Sequence, residues 1–252
     1  VMTTALISAG ATGVYSTGMF MAVMIELPRR AIAPTITPLL SKDIENNDWE
    51  SVLLKYRLSS VSQFALGGML FLLLWFNIDS IFEIMPNGHK FVEGKYVVLL
   101  IGLAKLYDLV WGVNTEILTL SKHFRWNALL MVLLIVLALV LNWLFIPKYG
   151  IIGTAFATLI SIGVYNTFRG VLVWVKLKMH PFSRSQFYVL TIFVVTGIII
   201  KFIHFDVNPI IEVVLRSGII LLISGGSIYV FKISPDINKM VDKYVRFIIK
   251  KK

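Results

Sequence analysis

The sequence predicts an all-α integral membrane protein, a polytopic helical bundle, on composition and on the length of its apolar runs. Of 252 residues, 57% are hydrophobic and only 15% charged, and the mean hydropathy is +0.81. Soluble domains carry about a quarter charged residues, because a water-facing surface has to be covered. A hydrocarbon core of about 30 Å needs roughly twenty apolar residues per helical crossing. Runs of that length recur along this chain.

A partial span is expected at 1–11, broken by "SAGATG". The next covers 14–38, where Pro34 and Pro38 should make the end kinked or irregular. Further spans fall at 58–78, 96–120, 127–146, 151–175, 186–204 and 209–231. The count is seven complete spans and one partial one. The expected organisation is a pair of membrane helices in 1–40, an amphipathic interfacial helix at 41–57, a six-span bundle at 58–231, and a basic amphipathic tail at 232–252. In the 41–57 segment Trp49, Val52, Leu53 and Tyr56 recur at helical spacing among Lys42, Asp43, Glu45, Asp48, Glu50 and Lys55. In the tail Ile237, Met240, Val241, Tyr244 and Ile248 do the same, beside Lys and Arg that suit anionic lipid headgroups.

The formal charge of +10 raises a nucleic-acid reading, which needs a basic face on a soluble domain. Here the basic residues fall between apolar runs, as topogenic signals do. One set of loops holds Arg29, Arg30, Lys42, Lys55 and Arg57, then Lys122 and Arg125, then Lys176, Lys178 and Arg184, then Lys232 and the tail. The alternate loops hold only Lys90, Lys95, Lys148 and Lys201. The rich side, with both termini, is expected to be cytoplasmic. The chain has no cysteine, so it has neither disulfides nor thiolate metal sites. "VMTTALISAGA" opens on Val1 without a basic leading region, so it does not read as a signal peptide. A chain whose upstream half is missing is expected.

Catalytic patterns are not evident. His89, His123, His180 and His204 stand apart from one another, without partners at ligand spacing. "GHKFVEGKY" has one residue too many between its glycines for a phosphate-binding loop, and Tyr where Ser or Thr should follow. Asp79, Glu83 and Glu93 read as a solvated outer loop. Neither enzymatic activity, nor a cofactor, nor a metal is expected. In "IPKYGIIGTAFATLIS" Pro147 ends one helix and Gly150 turns the chain. Gly153, Ala157 and Ser161 then recur every fourth residue, which predicts a close antiparallel hairpin.

The chemistry lies in "GLAKLYDLVWGVNTEIL". An ionisable side chain at mid-bilayer costs roughly 2.5–3.5 kcal/mol on insertion scales, yet Lys105, Asp108 and Glu116 lie inside this span. With Gly112 they are spaced three, four and four apart, so one helix face should carry them all. Lys105 and Asp108 could neutralise each other one turn apart, which leaves Glu116 unexplained. Glu26, Arg29 and Arg30 lie in the Pro-kinked span, and Arg169 in "YNTFRGVLVW" has no local acidic partner. Glu212 and Arg216 form a second candidate pair. Asn114, Asn142 and Asn166 add hydrogen-bonding capacity. Ionisable groups on many helices mark a polar path through a transporter. Cations at depth suit an anionic cargo such as a phosphate or diphosphate headgroup.

"GVYSTGMFMAVMIELPRRAIAPTITPLLSK", "WFNIDSIFEIMPNG", "GKYVVLLIGLAKLYDLVWGVNTEIL" and "NWLFIPKYGIIGTAFATLIS" resemble the carboxyl-terminal half of bacterial polysaccharide-export flippases. These belong to the polysaccharide biosynthesis/export family of the multidrug/oligosaccharidyl-lipid/polysaccharide exporter superfamily. The resemblance covers nearly the whole chain and implies one lobe of a two-lobe exporter, with the first lobe absent. It implies residence in the bacterial inner membrane. It also implies flipping of undecaprenyl-diphosphate-linked oligosaccharide by alternating access, for surface polysaccharide such as O-antigen, capsule or exopolysaccharide. The implied partners are that lipid-linked oligosaccharide, membrane lipids and the missing N-terminal half. Cavity cations would hold the diphosphate, which by position falls on Arg29, Arg30, Lys105 or Arg169. The rest of the expected cavity lining is Glu26, Asp108, Asn114 and Glu116. A cation-coupled multidrug exporter of the same superfamily would instead rely on Glu26, Asp108 and Glu116. A membrane glycosyltransferase or ligase would need a larger outer loop than 79–95.

Overall fold

The computed structural model describes residues 9–203, 205 and 207–250, and among them it is helical with no strand. In chain order the helices are α1 (Ala9–Val23), α2 (Leu27–Glu45), α3 (Trp49–Ile84), α4 (Lys95–Val110), α5 (Asn114–Leu120), α6 (Phe124–Leu177), α7 (Arg184–Phe202), α8 (Pro209–Ile220), α9 (Gly226–Val230) and α10 (Pro235–Lys250). By length and composition α3, α6, α7 and the stretch Pro209–Val230 are long and apolar enough to cross a membrane. Gly88–Val110 with Asn114–Leu120, bent by 52°, makes a fifth if taken as one span. The protein is a membrane-embedded helical bundle.

Its surface fits that setting. Phe20, Trp143, Phe202 and Leu222 are more than 65% exposed, and exposed apolar surface on this scale is stable only against lipid or another protein. The interior is layered around α3, which packs on α2, α4, α7 and α8. One apolar cluster joins Val61, Phe64 and Leu72 of α3 to Val189 and Phe193 of α7 and to Ile220 and Ile228 near the chain's end. Another ties Leu40 of α2 and Tyr56 of α3 to Ile117 of α5 and Val173 of α6.

Four local features depart from the sequence expectation. The first is at "SAGATG". Of the partial span expected over 1–11, residues 1–8 lie outside the described residues. From Ala9 onward the glycines do not interrupt the chain, and α1 runs through Gly10 and Gly13. The second is the irregularity of the Pro-containing span. It falls at the 3₁₀ turn Met24–Glu26, because the ring of Pro28 clashes with the carbonyl four residues before it. Pro34 and Pro38 sit inside α2.

The third departure is the 41–57 segment, which is not a helix of its own. Residues 41–45 finish α2, Asn47 turns the chain in the left-handed region, and Asp48 caps α3 by accepting from the Ser51 backbone N–H at 3.0 Å. Nothing after that cap breaks the helix, so the amphipathic turns run straight into the span. The fourth is 96–120, which is two helices. Gly112 has φ +56°, a conformation that costs glycine little and other residues much. A side chain there would also meet the backbone of Ser60 at 2.9 Å.

The expected hairpin is present. α6 is 54 residues long and broken at Gly150 (φ 55°, ψ −132°), which separates an outgoing arm, 124–149, from a returning arm, 151–177. Gly153 lies against the backbone of Phe145 and Ile146, and Gly153, Ala157 and Ser161 are buried.

Candidate functional site

The break between α4 and α5 places the site. A helix that stops in an apolar setting leaves carbonyls without partners. At Val110 the orphan carbonyl accepts from Gln186 of α7 at 3.2 Å and from the hydroxyl of Ser60. Gln186 is itself fixed by accepting the Ser183 backbone N–H at 3.1 Å. The broken helix is therefore built in, braced from α3 and α7, and it brings Asp108, Asn114, Thr115 and Glu116 to one junction.

Arginines enter from two sides. Arg29, from the first turn of α2, donates to Asp108 and to the Thr115 hydroxyl at 2.8 Å. It also lies 3.6 Å from Glu116. Arg169, from the returning arm of α6, donates to the other oxygen of Asp108 at 3.2 Å, to Tyr165 Oη at 3.0 Å and to Asn166. The Tyr165 ring lies 4.5 Å from its guanidinium carbon, a cation–π contact. Arg169 is 2% exposed, the largest fully buried side chain among the described residues.

Lys105 pairs across the bundle with Glu26 at 2.6 Å, and Arg30 lies 3.9 Å from the other oxygen of Glu26 with its side chain 58% exposed. The local ion pair that Lys105 and Asp108 could have made is not formed, because each finds a partner elsewhere in the bundle. The single polar face expected across Lys105, Asp108, Gly112 and Glu116 is divided by the break at Gly112.

The structure thus brings Glu26, Arg29, Arg30, Lys105, Asp108, Glu116 and Arg169 into two linked ionic groups, in which four cations meet three carboxylates. Asn114 is buried close by, and neither of its amide atoms has a hydrogen-bond partner among the described residues. The same holds for Tyr56 Oη and for Glu116 Oε2. These buried atoms are hydrogen-bonding capacity that the described fold does not itself use. Thr115, Tyr165 and Tyr56 were not legible as site residues. The one available signal was Tyr165, one helical turn before Arg169.

Two other polar groups stand apart. Arg216 and Glu212 pair as expected. Arg216 also donates to the Phe76 carbonyl at 2.7 Å and Glu212 accepts from Ser80 at 2.6 Å, which fastens α8 to α3. Asp79 holds Lys95 at 2.6 Å.

Set against known protein families, curated proteins and solved structures, the chain matches none.

Proposed function

We propose that this chain is one lobe of a non-enzymatic exporter that flips an undecaprenyl-diphosphate-linked oligosaccharide across the bacterial inner membrane for surface polysaccharide synthesis. The observation that carries the reading is the convergence of Arg29, Arg30, Lys105 and Arg169 on three carboxylates at a broken helix. Discontinuous helices at mid-membrane are where transporters hold polar cargo. Arginine's planar fork suits carboxylate and phosphate alike. In this reading a cargo phosphate takes the place of a carboxylate as partner of Arg29, so the arginine exchanges one anion for another and is never left bare. The surplus cation favours a negative cargo.

The rival reading, a cation-coupled multidrug exporter, needs carboxylates free to meet a cation. Asp108 is held by two arginines and Glu26 by Lys105, which supports the anionic cargo; Glu116, 3.6 Å from Arg29, is the one carboxylate left to the rival. The bent α4–α5 pair, the two arms of α6 and the α1–α2 stretch support the fuller count of seven complete spans. Positive-inside bias supports cytoplasmic placement of both ends, and in this reading a second lobe is needed to enclose the cavity.

The test is Arg29→Gln with Lys105→Gln in the full-length protein, in cells making a surface glycan. The expected result is loss of lipid-linked glycan reaching the outer leaflet, counted per molecule of folded protein in the membrane. Delivery at the normal rate would overturn the cationic-grip mechanism. Drug resistance lost on Glu116→Gln would favour the rival.

A further inference from the structure

Trp111, the residue just before Gly112, belongs to a second feature. With Gly170, Val171, Trp174, His180 and Phe182 it lines a lateral hollow of about 470 Å³. Trp111 is buried and meets Phe182 edge-on, ring centroids 5.1 Å apart. His180 stacks on Phe182 at 6.5 Å. Gly170 makes the arrangement possible, since any side chain there would run into the Trp111 ring. The indole Nε1 of Trp111 has no hydrogen-bond partner among the described residues. Val171, Trp174 and Phe182 are exposed, so the hollow opens sideways from the bundle.

Its rim is cationic. The chain leaves the hollow through Lys176, Lys178 and His180 and returns into α7 at Arg184, all four exposed. Lys176 is engaged by the Trp126 ring at 5.8 Å, which leaves the cations Lys178 and Arg184 around the turn. Acidic residues are absent from 171–187. Aromatic rings settle at the headgroup level of a bilayer, and basic residues beside a membrane helix attract anionic headgroups. An aromatic, apolar wall beneath a cationic turn therefore complements a molecule with an anionic head and a hydrocarbon chain.

We propose that this hollow is a binding site for an anionic glycerophospholipid of the adjoining leaflet. Its chain lies along Trp174 and Phe182, and its phosphate meets the turn from Lys178 to Arg184. The site is separate from the ionic network and does not depend on what the protein transports.

Native mass spectrometry of the full chain in detergent tests it, with phosphatidylglycerol and phosphatidylcholine added in equal amounts. The first adduct should be phosphatidylglycerol. Lys178→Asn, chosen because Lys178 has φ +57° and asparagine tolerates that region, should lower that adduct about fivefold, the loss expected from removing one headgroup-facing cation. Trp174→Ala should lower it similarly. Trp143→Ala, at a tryptophan that is 67% exposed and outside the hollow, should leave it unchanged. Trp174 and Lys178 are both exposed, so neither change disturbs the core. Equal binding of the two lipids, an adduct indifferent to Lys178→Asn and Trp174→Ala, or a dimer of the chain with no lipid preference would each overturn the proposal.

Discussion

Lys105 reaches across the bundle to Glu26 at 2.6 Å, passing over Asp108 one turn along its own helix. Partners on different helices make the pair a tertiary contact. Both side chains are half-buried, so removing one member leaves its partner's charge partly uncompensated, whereas replacing both with apolar groups is often nearly neutral. Glu26→Gln and Lys105→Met should therefore each lower thermal stability in detergent, and the double variant should recover much of the loss. A double-variant loss equal to the sum of the two singles would show that the pair contributes no coupling.

The carboxylates are not equivalent. Asp108 is shared by Arg29 and Arg169, Glu26 is held closely by Lys105, and Glu116 meets Arg29 only at 3.6 Å. Neutralising them one at a time should lower the melting temperature in the order Asp108→Asn, then Glu26→Gln, then Glu116→Gln. Asp108→Asn leaves Arg169 buried beside a neutral amide, a loss of about 3–5 kcal/mol. A melting temperature for Asp108→Asn as high as that for Glu116→Gln would refute the shared-carboxylate arrangement.

The membrane class was legible in the sequence because composition alone decides it, and the α6 hairpin was legible because Gly150 and the four-residue spacing of small residues act locally, although Pro147, expected to end the outgoing helix, sits inside it. The ionic residues were also legible, since charges in apolar runs are conspicuous. Their pairing was not. Lys105 and Asp108 sit one turn apart on α4, and only the packing of α2 and the returning arm of α6 against it decides which partners win. The break at Gly112 was equally hidden. A glycine in a helix pattern reads as helical until the close approach of Ser60 and the bracing of Val110 by Gln186 are known.

That break gives a backbone prediction. Gly112→Ala places a Cβ at φ +56° and 2.9 Å from the Ser60 backbone. The expected cost is about 1–3 kcal/mol, with the proposed transport impaired because Asp108 and Glu116 lose their relative placement. Gly218→Ala is the internal comparison. Nothing lies within 4 Å of a Cβ there, and alanine in a helix gains about 0.8–1.0 kcal/mol over glycine. Thermal unfolding of the two variants should move in opposite directions. A shared direction would mean that the left-handed turn is not required.

At the turn joining α2 to α3, Lys55 donates to Asp43 and also to the Ser51 hydroxyl at 2.7 Å. The hydrogen bond from Lys55 holds the Asp43 carboxyl below its ordinary 3.8, with smaller help from Ser51 and from the charges of Lys55 and Lys42. Because the folded value is the lower one, the carboxylate stabilises the folded state fully above the unfolded value. That contribution fades as pH falls through the folded one. Wild type and Asp43→Asn should therefore differ in melting temperature by a constant amount above about pH 5, and the gap should close below pH 3.8. In a Lys55→Met background the same Asp43→Asn change should produce little gap at any pH, since the donor responsible is gone. A gap that persists unchanged in acid, or that survives Lys55→Met, would assign the low value to something other than this contact.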